Sequence, residues 1–183
     1  MGGHQDRRQS IRNFQRSLTF VMKTLLVYYS IKDDVRALCE SSRREREIDV
    51  IELREKYDRG ILSACTFGAM AAASGEASAI DEIDVDINQY DTVIIATPAW
   101  AFSPAPAVNA FLHSVNLSGK EVIGMIFSGA SSGSHASDIL RKRIQLAGGH
   151  CGSVVSVNAK QLKRHEWDVV SYAEQRDLLP TMA

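Results

Sequence analysis

A tryptophan stands in a short loop, Thr97–Ser103, that directly follows the fully apolar run Val93–Ala96. A run this short, bounded by Asp91 and Pro98, is typical of a strand buried on both faces of a parallel sheet. In open α/β sheets, ligands bind beyond the carboxyl ends of the strands, where this loop would lie. Trp100 could therefore stack on a flat ligand, or it could be buried at a subunit interface, where tryptophan is also enriched.

A second loop, rich in glycine and serine, follows the apolar run Val122–Phe127. Its amides and hydroxyls could hydrogen-bond the polar edge of a ligand, and Gly129 and Gly133 allow close backbone approach. His135 could act as a proton donor there, although a loop histidine is more often simply exposed. The candidate residues of this loop are Ser128, Gly129, Ala130, Ser131, Ser132, Gly133 and His135.

A third candidate loop follows the first apolar run and leads into a helix pattern. Its members are Ser30, Ile31, Lys32, Asp33, Asp34 and Val35. An amide-lined loop at a helix N-terminus can hold a phosphate. A carboxylate about 5 Å from one phosphate charge would cost roughly 3 kcal/mol at an effective dielectric constant of about 20. Lys32 could offset part of this cost, and Asp33 or Asp34 could instead cap the helix.

Five short apolar runs recur along the chain, each followed by a helix-like or loop segment. This alternation predicts a three-layer α/β sandwich around a five-stranded parallel sheet in the order 2-1-3-4-5. A dinucleotide-binding half-fold is the less favoured alternative, because G-x-G-x-x-G does not follow the first run. The predicted strands are Thr24–Tyr29, Asp49–Leu53, Thr92–Thr97, Val122–Phe127 and Ser153–Val157.

Capping and proline signals place the helices between these strands. The first starts at Asp33 or Asp34 and has a thin apolar face, because Ser42 and Arg46 occupy its later turns. We expect four further helical segments. They are a short helix with a loop within Ile61–Ile80, one that Pro104 and Pro106 open, one from Ser134 or Ser137 to Gly148, and one over Trp167–Leu179.

The composition is that of one globular domain with no indication of a nucleic-acid partner. The chain has 183 residues and a net charge of -1, and no apolar run approaches the length of a membrane span. Cys39, Cys65 and Cys151 are widely spaced, which predicts free thiols in a reducing cytoplasm and no metal site. Residues 1–22 contain four arginines and one aspartate. We interpret them as a basic arm, either a targeting or docking segment or an accessory extension, before a domain at 23–183.

The motif T-P-x-W at Thr97–Trp100, continued by a proline-started helix, resembles flavodoxin-like FMN proteins. The resemblance extends from about Lys23 to about Val157 and includes Gly60, Gly68 and Ala71 of a small-residue segment. It implies that all three loops contact FMN, and in the loop Thr97–Ser103 the residues are Thr97, Pro98, Ala99, Trp100 and Phe102. The loop Ser30–Val35 departs from the family pattern S/T-x-T-G-x-T, in which only Ser30 matches.

The resemblance implies electron or hydride transfer through non-covalently bound FMN, as in electron carriers and FMN-dependent oxidoreductases. The partner would be a small-molecule or protein redox partner, and a homodimer is one expectation. The alternative is a binding or regulatory module with this fold that has lost FMN phosphate binding. No nucleophile–base motif or paired carboxylates stand out, so any catalysis would be the cofactor's own chemistry. We expect the carboxyl edge of the sheet to be the only sizeable ligand site.

Overall fold

The computed structural model shows the predicted sheet, with one short addition. Its strands are β1 (Thr24–Tyr28), β2 (Asp49–Glu52), β3 (Thr92–Trp100), β4 (Ser103–Pro104), β5 (Glu121–Phe127) and β6 (His150–Val157). The order is β2-β1-β3-β5-β6 and all these neighbours are parallel, while the two-residue β4 pairs antiparallel with the end of β3. The predicted order 2-1-3-4-5 is therefore confirmed for the five main strands.

Helices flank the sheet, and the ranges that the structure describes include four of them. They are α1 (Asp33–Arg46), α2 (Pro106–Ser114), α3 (Gly133–Leu146) and α4 (Val169–Gln175), with a short 3-10 helix at Ile87–Gln89. The structure describes residues 23–46, 48–56, 75–128, 133–158, 160, 168–176 and 178–179. The basic arm, Cys65 and most of the predicted segment Ile61–Ile80 lie outside these residues.

The centre of β3 shows why an uninterrupted apolar run forms the middle of the sheet. Val93, Ile94, Ile95 and Ala96 are all fully buried, because β3 has a parallel neighbour on each side and helices above and below. Val93 and Ile95 belong to the core cluster that includes α2 and α3 residues, and Ile94 and Ala96 to the cluster that includes α1 and α4 residues. This is the three-layer flavodoxin-like sandwich that was predicted.

A proline marks the start of α2 and a glycine follows the end of α3, as expected. Pro106 occupies the first turn of α2, where a missing backbone N–H costs nothing. Gly148 follows α3 with a φ of +87°, the left-handed conformation that glycine adopts readily at a helix end. The predicted helix over Trp167–Leu179 is shorter in the structure, and Trp167 itself lies outside the described residues.

A buried polar contact explains the thin apolar face of α1. Ser42 is fully buried and donates a hydrogen bond to Oδ1 of Asp168 at 3.0 Å. The same oxygen accepts the backbone N–H of Val170 at 2.7 Å, so Asp168 caps α4. Side-chain hydrogen bonding therefore joins α1 to α4, in addition to the apolar contacts between them.

Two described cysteines are free thiols. Cys39 is fully buried, and burial raises the pKa of its thiol, while Cys151 is half-buried. No helix in the described ranges is long and apolar enough to cross a membrane. Among the same residues, no group of His, Cys, Asp or Glu side chains is arranged to hold a metal ion.

Candidate functional site

The register of the sheet brings the three candidate loops to one edge. Tyr28 at the end of β1 pairs with Ala96 of β3, and Pro98 of β3 pairs with Phe127 at the end of β5. The loops after these strands therefore begin side by side at the carboxyl edge. β1 and β3 flank the point where the strand order reverses, which is where open α/β sheets bind ligands.

A strained hairpin projects from this edge. Trp100 and Ser103 form the last pair between β3 and β4, and Ala101 and Phe102 make the two-residue turn between them. Both turn residues have positive φ, 45° for Ala101 and 64° for Phe102. A residue with a Cβ pays about 1–2 kcal/mol for this conformation. The pairing of β3 with β4 imposes this turn and places Phe102 at its tip, where 56% of its surface is exposed.

Trp100 fixes the base of the hairpin to the neighbouring loop. Its ring meets the ring of Tyr29 edge-on, with centroids 5.5 Å apart and planes at 80°. Trp100 is partly buried against the core, and Tyr29 follows directly after β1. The loops after β1 and β3 are thus held together by an aromatic contact, and part of the Trp100 surface is left available.

Thr97 has a positioning role in the structure. It is fully buried, and its Oγ1 accepts the backbone N–H of Ala105 at 3.2 Å and donates to the carbonyl of Pro98 at 3.2 Å. This hydroxyl closes the base of the loop where α2 begins. Pro98 and Ala99 are partly exposed along the same segment.

The loop after β1 offers an apolar residue and a lysine to solvent. Ser30 is buried, and its hydroxyl donates to the carbonyl of Lys32 and accepts the Lys32 N–H, so it is engaged within the loop. Ile31 is 38% exposed, and Lys32 is exposed beside it. Val35, which was expected at the site, is 5% exposed and packs in the core, so its side chain is not available to a ligand.

Arg36 is the residue of this loop that the sequence reasoning missed. Its Nη1 pairs with Oδ1 of Asp33 at 2.8 Å, its Nε pairs with Oε1 of Glu52 at 2.6 Å, and its Nη2 donates to the carbonyl of Ser30 at 3.4 Å. The hydrogen bond to Glu52 is the main cause that raises the pKa of Arg36. The three-residue spacing of Asp33 and Arg36 on a helix was the signal that could have found this pair.

Close packing surrounds Ser128 and Gly133, the described residues at the two ends of the loop after β5. Ser128 and Ser156 share a hydrogen bond between their Oγ atoms at 2.7 Å, and the Ser128 N–H donates to the carbonyl of Val157 at 3.1 Å. Gly133 is buried at the start of α3, where an added Cβ would lie 2.0 Å from Oγ of Ser156. His135 is exposed on the first turn of α3. Gly129, Ala130, Ser131 and Ser132 lie outside the described residues.

A family model described as flavodoxin matches residues 68–169, more than half of the chain. The chain belongs to the flavodoxin family. A search of curated proteins found no match.

Solved structures of flavoproteins share the fold of this flavodoxin-family chain. A flavoprotein from Lactobacillus acidophilus NCFM, in complex with FMN, aligns with a TM-score of 0.66 at 19% identity, over 79% of this chain and 98% of the other. A protein described as a flavoprotein from Bacteroides uniformis ATCC 8492 gives 0.63 at 19% identity, over 79% and 97%. One from Bacteroides eggerthii DSM 20697 gives 0.62 at 19% identity, over 78% and 94%.

The flavodoxin-family chain also has clefts away from the carboxyl edge, and the expectation that this edge is the only sizeable ligand site stays a prediction. One cleft of about 560 Å³ lies between the segment Ile80–Asn88 and the end of α2. Another of about 500 Å³ lies between the ends of α2 and α3. Both include Val115 and Asn116, and both lie towards the amino edge of the sheet, because α2 runs antiparallel to the strands.

Proposed function

We propose that the chain binds FMN non-covalently at the carboxyl edge of the sheet and transfers electrons or hydride through it. The observation that carries this proposal is the strained hairpin, which holds the exposed Phe102 next to Trp100 at the switch point. Strain of this kind persists where the surrounding structure imposes it and is frequent at ligand sites. Family membership and the shared fold of a flavoprotein solved with FMN support the same assignment.

The ring end of the proposed site fits a planar ligand. The large apolar side chains that the structure describes as exposed are Ile31, Phe102 and Leu146, and the first two belong to loops at this edge. Exposed apolar side chains at the switch point of an α/β sheet are available to contact a ligand there. In the proposal, Ile31, Trp100 and Phe102 hold the flavin ring and exclude water from it. The bound FMN would supply the redox chemistry, and the chain would supply position and electrostatics.

The loop after β1 suits the FMN phosphate less well than this edge of the sheet suits the flavin ring. The Ser30 hydroxyl is engaged within its loop, and the Val35 side chain is in the core. The Asp33 carboxylate is 97% exposed and paired with Arg36, so water and the guanidinium weaken its repulsion of a phosphate. Lys32 and Arg36 are the cations of this loop that we propose to act on the phosphate. A binding module that has lost phosphate recognition is the second candidate.

Titration of FMN and riboflavin tests whether the chain binds flavin and how much the phosphate contributes. We expect the chain to bind both, with affinities within about tenfold, because the phosphate meets Asp33 as well as Lys32 and Arg36. Asp33→Asn should increase the preference for FMN by about fivefold, since it removes an exposed carboxylate and one of the two ion pairs of Arg36. Flavin absorbance and fluorescence would give both dissociation constants.

Asp84→Asn is the matched control for this experiment, because Asp84 is exposed in the segment before β3, at the other edge of the sheet. It should leave the ratio of the two affinities unchanged. If neither flavin binds, the binding-module alternative is favoured. A preference of the unaltered chain for FMN of about a thousandfold, roughly 4 kcal/mol, would mean that the loop after β1 binds the phosphate strongly. Our inference that Asp33 opposes phosphate binding would then be wrong.

Phe102→Gly should weaken flavin binding without lowering the stability of the fold. Glycine accepts a positive φ without strain, so the free energy of unfolding should stay within about 1 kcal/mol of the unaltered value or exceed it. Loss of the aromatic contact should weaken FMN binding by about 1–2 kcal/mol. Urea unfolding and flavin titration measure the two quantities on the same samples.

Ala101→Gly is the control for the hairpin, since it relieves the same kind of strain and keeps the aromatic ring. It should match Phe102→Gly in stability and match the unaltered chain in FMN affinity. Equal FMN affinity for both glycine variants would mean that Phe102 does not contact the flavin.

A further inference from the structure

Arg143 is a half-buried cation that forms no ion pair with the residues that the structure describes. Its Nη1 donates to Oδ1 of Asn109 at 2.6 Å, and this neutral amide is its acceptor. Burial lowers the pKa of the guanidinium, with no neighbouring charge contributing to the shift. Charges removed from water are normally paired, because desolvation is costly. The position of Arg143 therefore suits an anion that the described residues do not supply.

The surroundings hold this guanidinium in place. Asn109 is fully buried on α2, and its Nδ2 donates to the backbone carbonyl of Glu76 at 2.9 Å. Gly75, with a φ of +78°, passes so close that an added Cβ would lie 3.2 Å from Nη2 of Arg143. Elements from α2, α3 and the segment before β3 thus fix the arginine before any ligand arrives. A preorganised group loses less entropy on binding.

Arg143 lines the cleft of about 500 Å³ between the ends of α2 and α3. A guanidinium carries five N–H donors in a planar fork that matches a carboxylate. Both hydrogen-bonding and apolar groups line the cleft, and a cleft of this size can hold a small molecule. The other lining residues are Asn109, Leu112, His113, Val115, Asn116, Leu146 and Ala147.

We propose that this cleft binds a small organic anion, a carboxylate with an apolar body, whose charged end pairs with Arg143. The apolar body would lie along Leu112, Val115 and Leu146, of which Leu146 is 87% exposed at the rim. The cleft lies towards the amino edge of the sheet, opposite the proposed flavin site. The two sites are therefore separate, and this inference stands whether or not FMN binds.

The test uses sodium hexanoate as the probe and the full chain as the protein. Calorimetry or amide NMR shifts should show saturable binding, with shifts confined to the ends of α2 and α3. Arg143→Gln should weaken binding by about tenfold or more, the value of a charge-assisted hydrogen bond. Lys142→Gln is the matched control, because Lys142 is exposed on the same helix and does not line the cleft. It should change the affinity by less than about threefold.

Leu146→Glu is a second variant, for the case that Arg143→Gln does not fold. Leu146 is exposed, so the fold should tolerate the change, and the new carboxylate at the rim should repel hexanoate and weaken its binding about tenfold. The proposal is overturned if hexanoate does not bind the unaltered chain. It is equally overturned if hexanoate binds Arg143→Gln and Leu146→Glu as tightly as it binds the unaltered chain. It is also overturned if inorganic phosphate binds and hexanoate does not, because the apolar walls would then contribute nothing.

Discussion

Gly133→Ala is expected to destabilise the protein by about 1–3 kcal/mol, the usual cost of overpacking. The added Cβ would lie 2.0 Å from Oγ and 2.5 Å from Cβ of Ser156, and 2.8 Å from Oγ of Ser128. A rotation of the Ser156 hydroxyl cannot relieve the contact with its Cβ, so α3 and β6 must separate. Because α3 begins at the proposed flavin site, FMN binding should weaken as well. Urea unfolding and flavin titration measure both effects.

Gly152→Ala on β6 is the matched control. The nearest atom to its added Cβ is Oε2 of Glu121 at 3.4 Å, an ordinary contact, so the loss of stability should be small. Combining Gly133→Ala with Ser156→Gly should recover part of the stability, because it removes the two nearest clashing atoms and leaves Oγ of Ser128 at 2.8 Å. A double variant no more stable than Gly133→Ala alone would show that the clash with Ser156 is not the cause.

Asp168→Ala should cost about 2–4 kcal/mol of unfolding free energy. It removes the cap of α4, worth about 1 kcal/mol, and leaves the buried Ser42 hydroxyl without the acceptor that it has in the structure, which costs about 1–3 kcal/mol. Both losses act where α1 meets α4. Urea unfolding, followed by circular dichroism, measures the change.

Asp168→Asn is the conservative comparison, since its amide oxygen can still accept from Ser42 and from the Val170 N–H. It should lose clearly less stability than Asp168→Ala. The double variant Asp168→Ala with Ser42→Ala should recover part of the loss, because no hydroxyl is then left unsatisfied. Equal losses in all three variants would show that the contact between Ser42 and Asp168 contributes little.

The β-strands and their order followed from the sequence because they depend on local patterns. The run Val93–Ala96 is apolar at every position, which suits a strand covered on both faces, and Pro106 marks a helix start through its fixed backbone. Parallel strands with right-handed crossovers leave few possible orders. The same rules brought the three candidate loops to one edge, as expected. The role of those loop residues in binding a cofactor stays a prediction.

Contacts between distant segments were decided only by the tertiary structure. Arg36 of α1 meets Glu52 of β2, and Ser42 meets Asp168, 126 positions further along the chain. The positive φ values of Ala101 and Phe102 oppose the preferences of both residues, so only the strand pairing around them can impose this turn. The half-buried guanidinium of Arg143, which has no ion pair within the described ranges, likewise becomes visible only when α2 and α3 pack. Residue pattern determines which segments become strands and helices, whereas hydrogen bonding and desolvation between distant side chains depend on the packed fold.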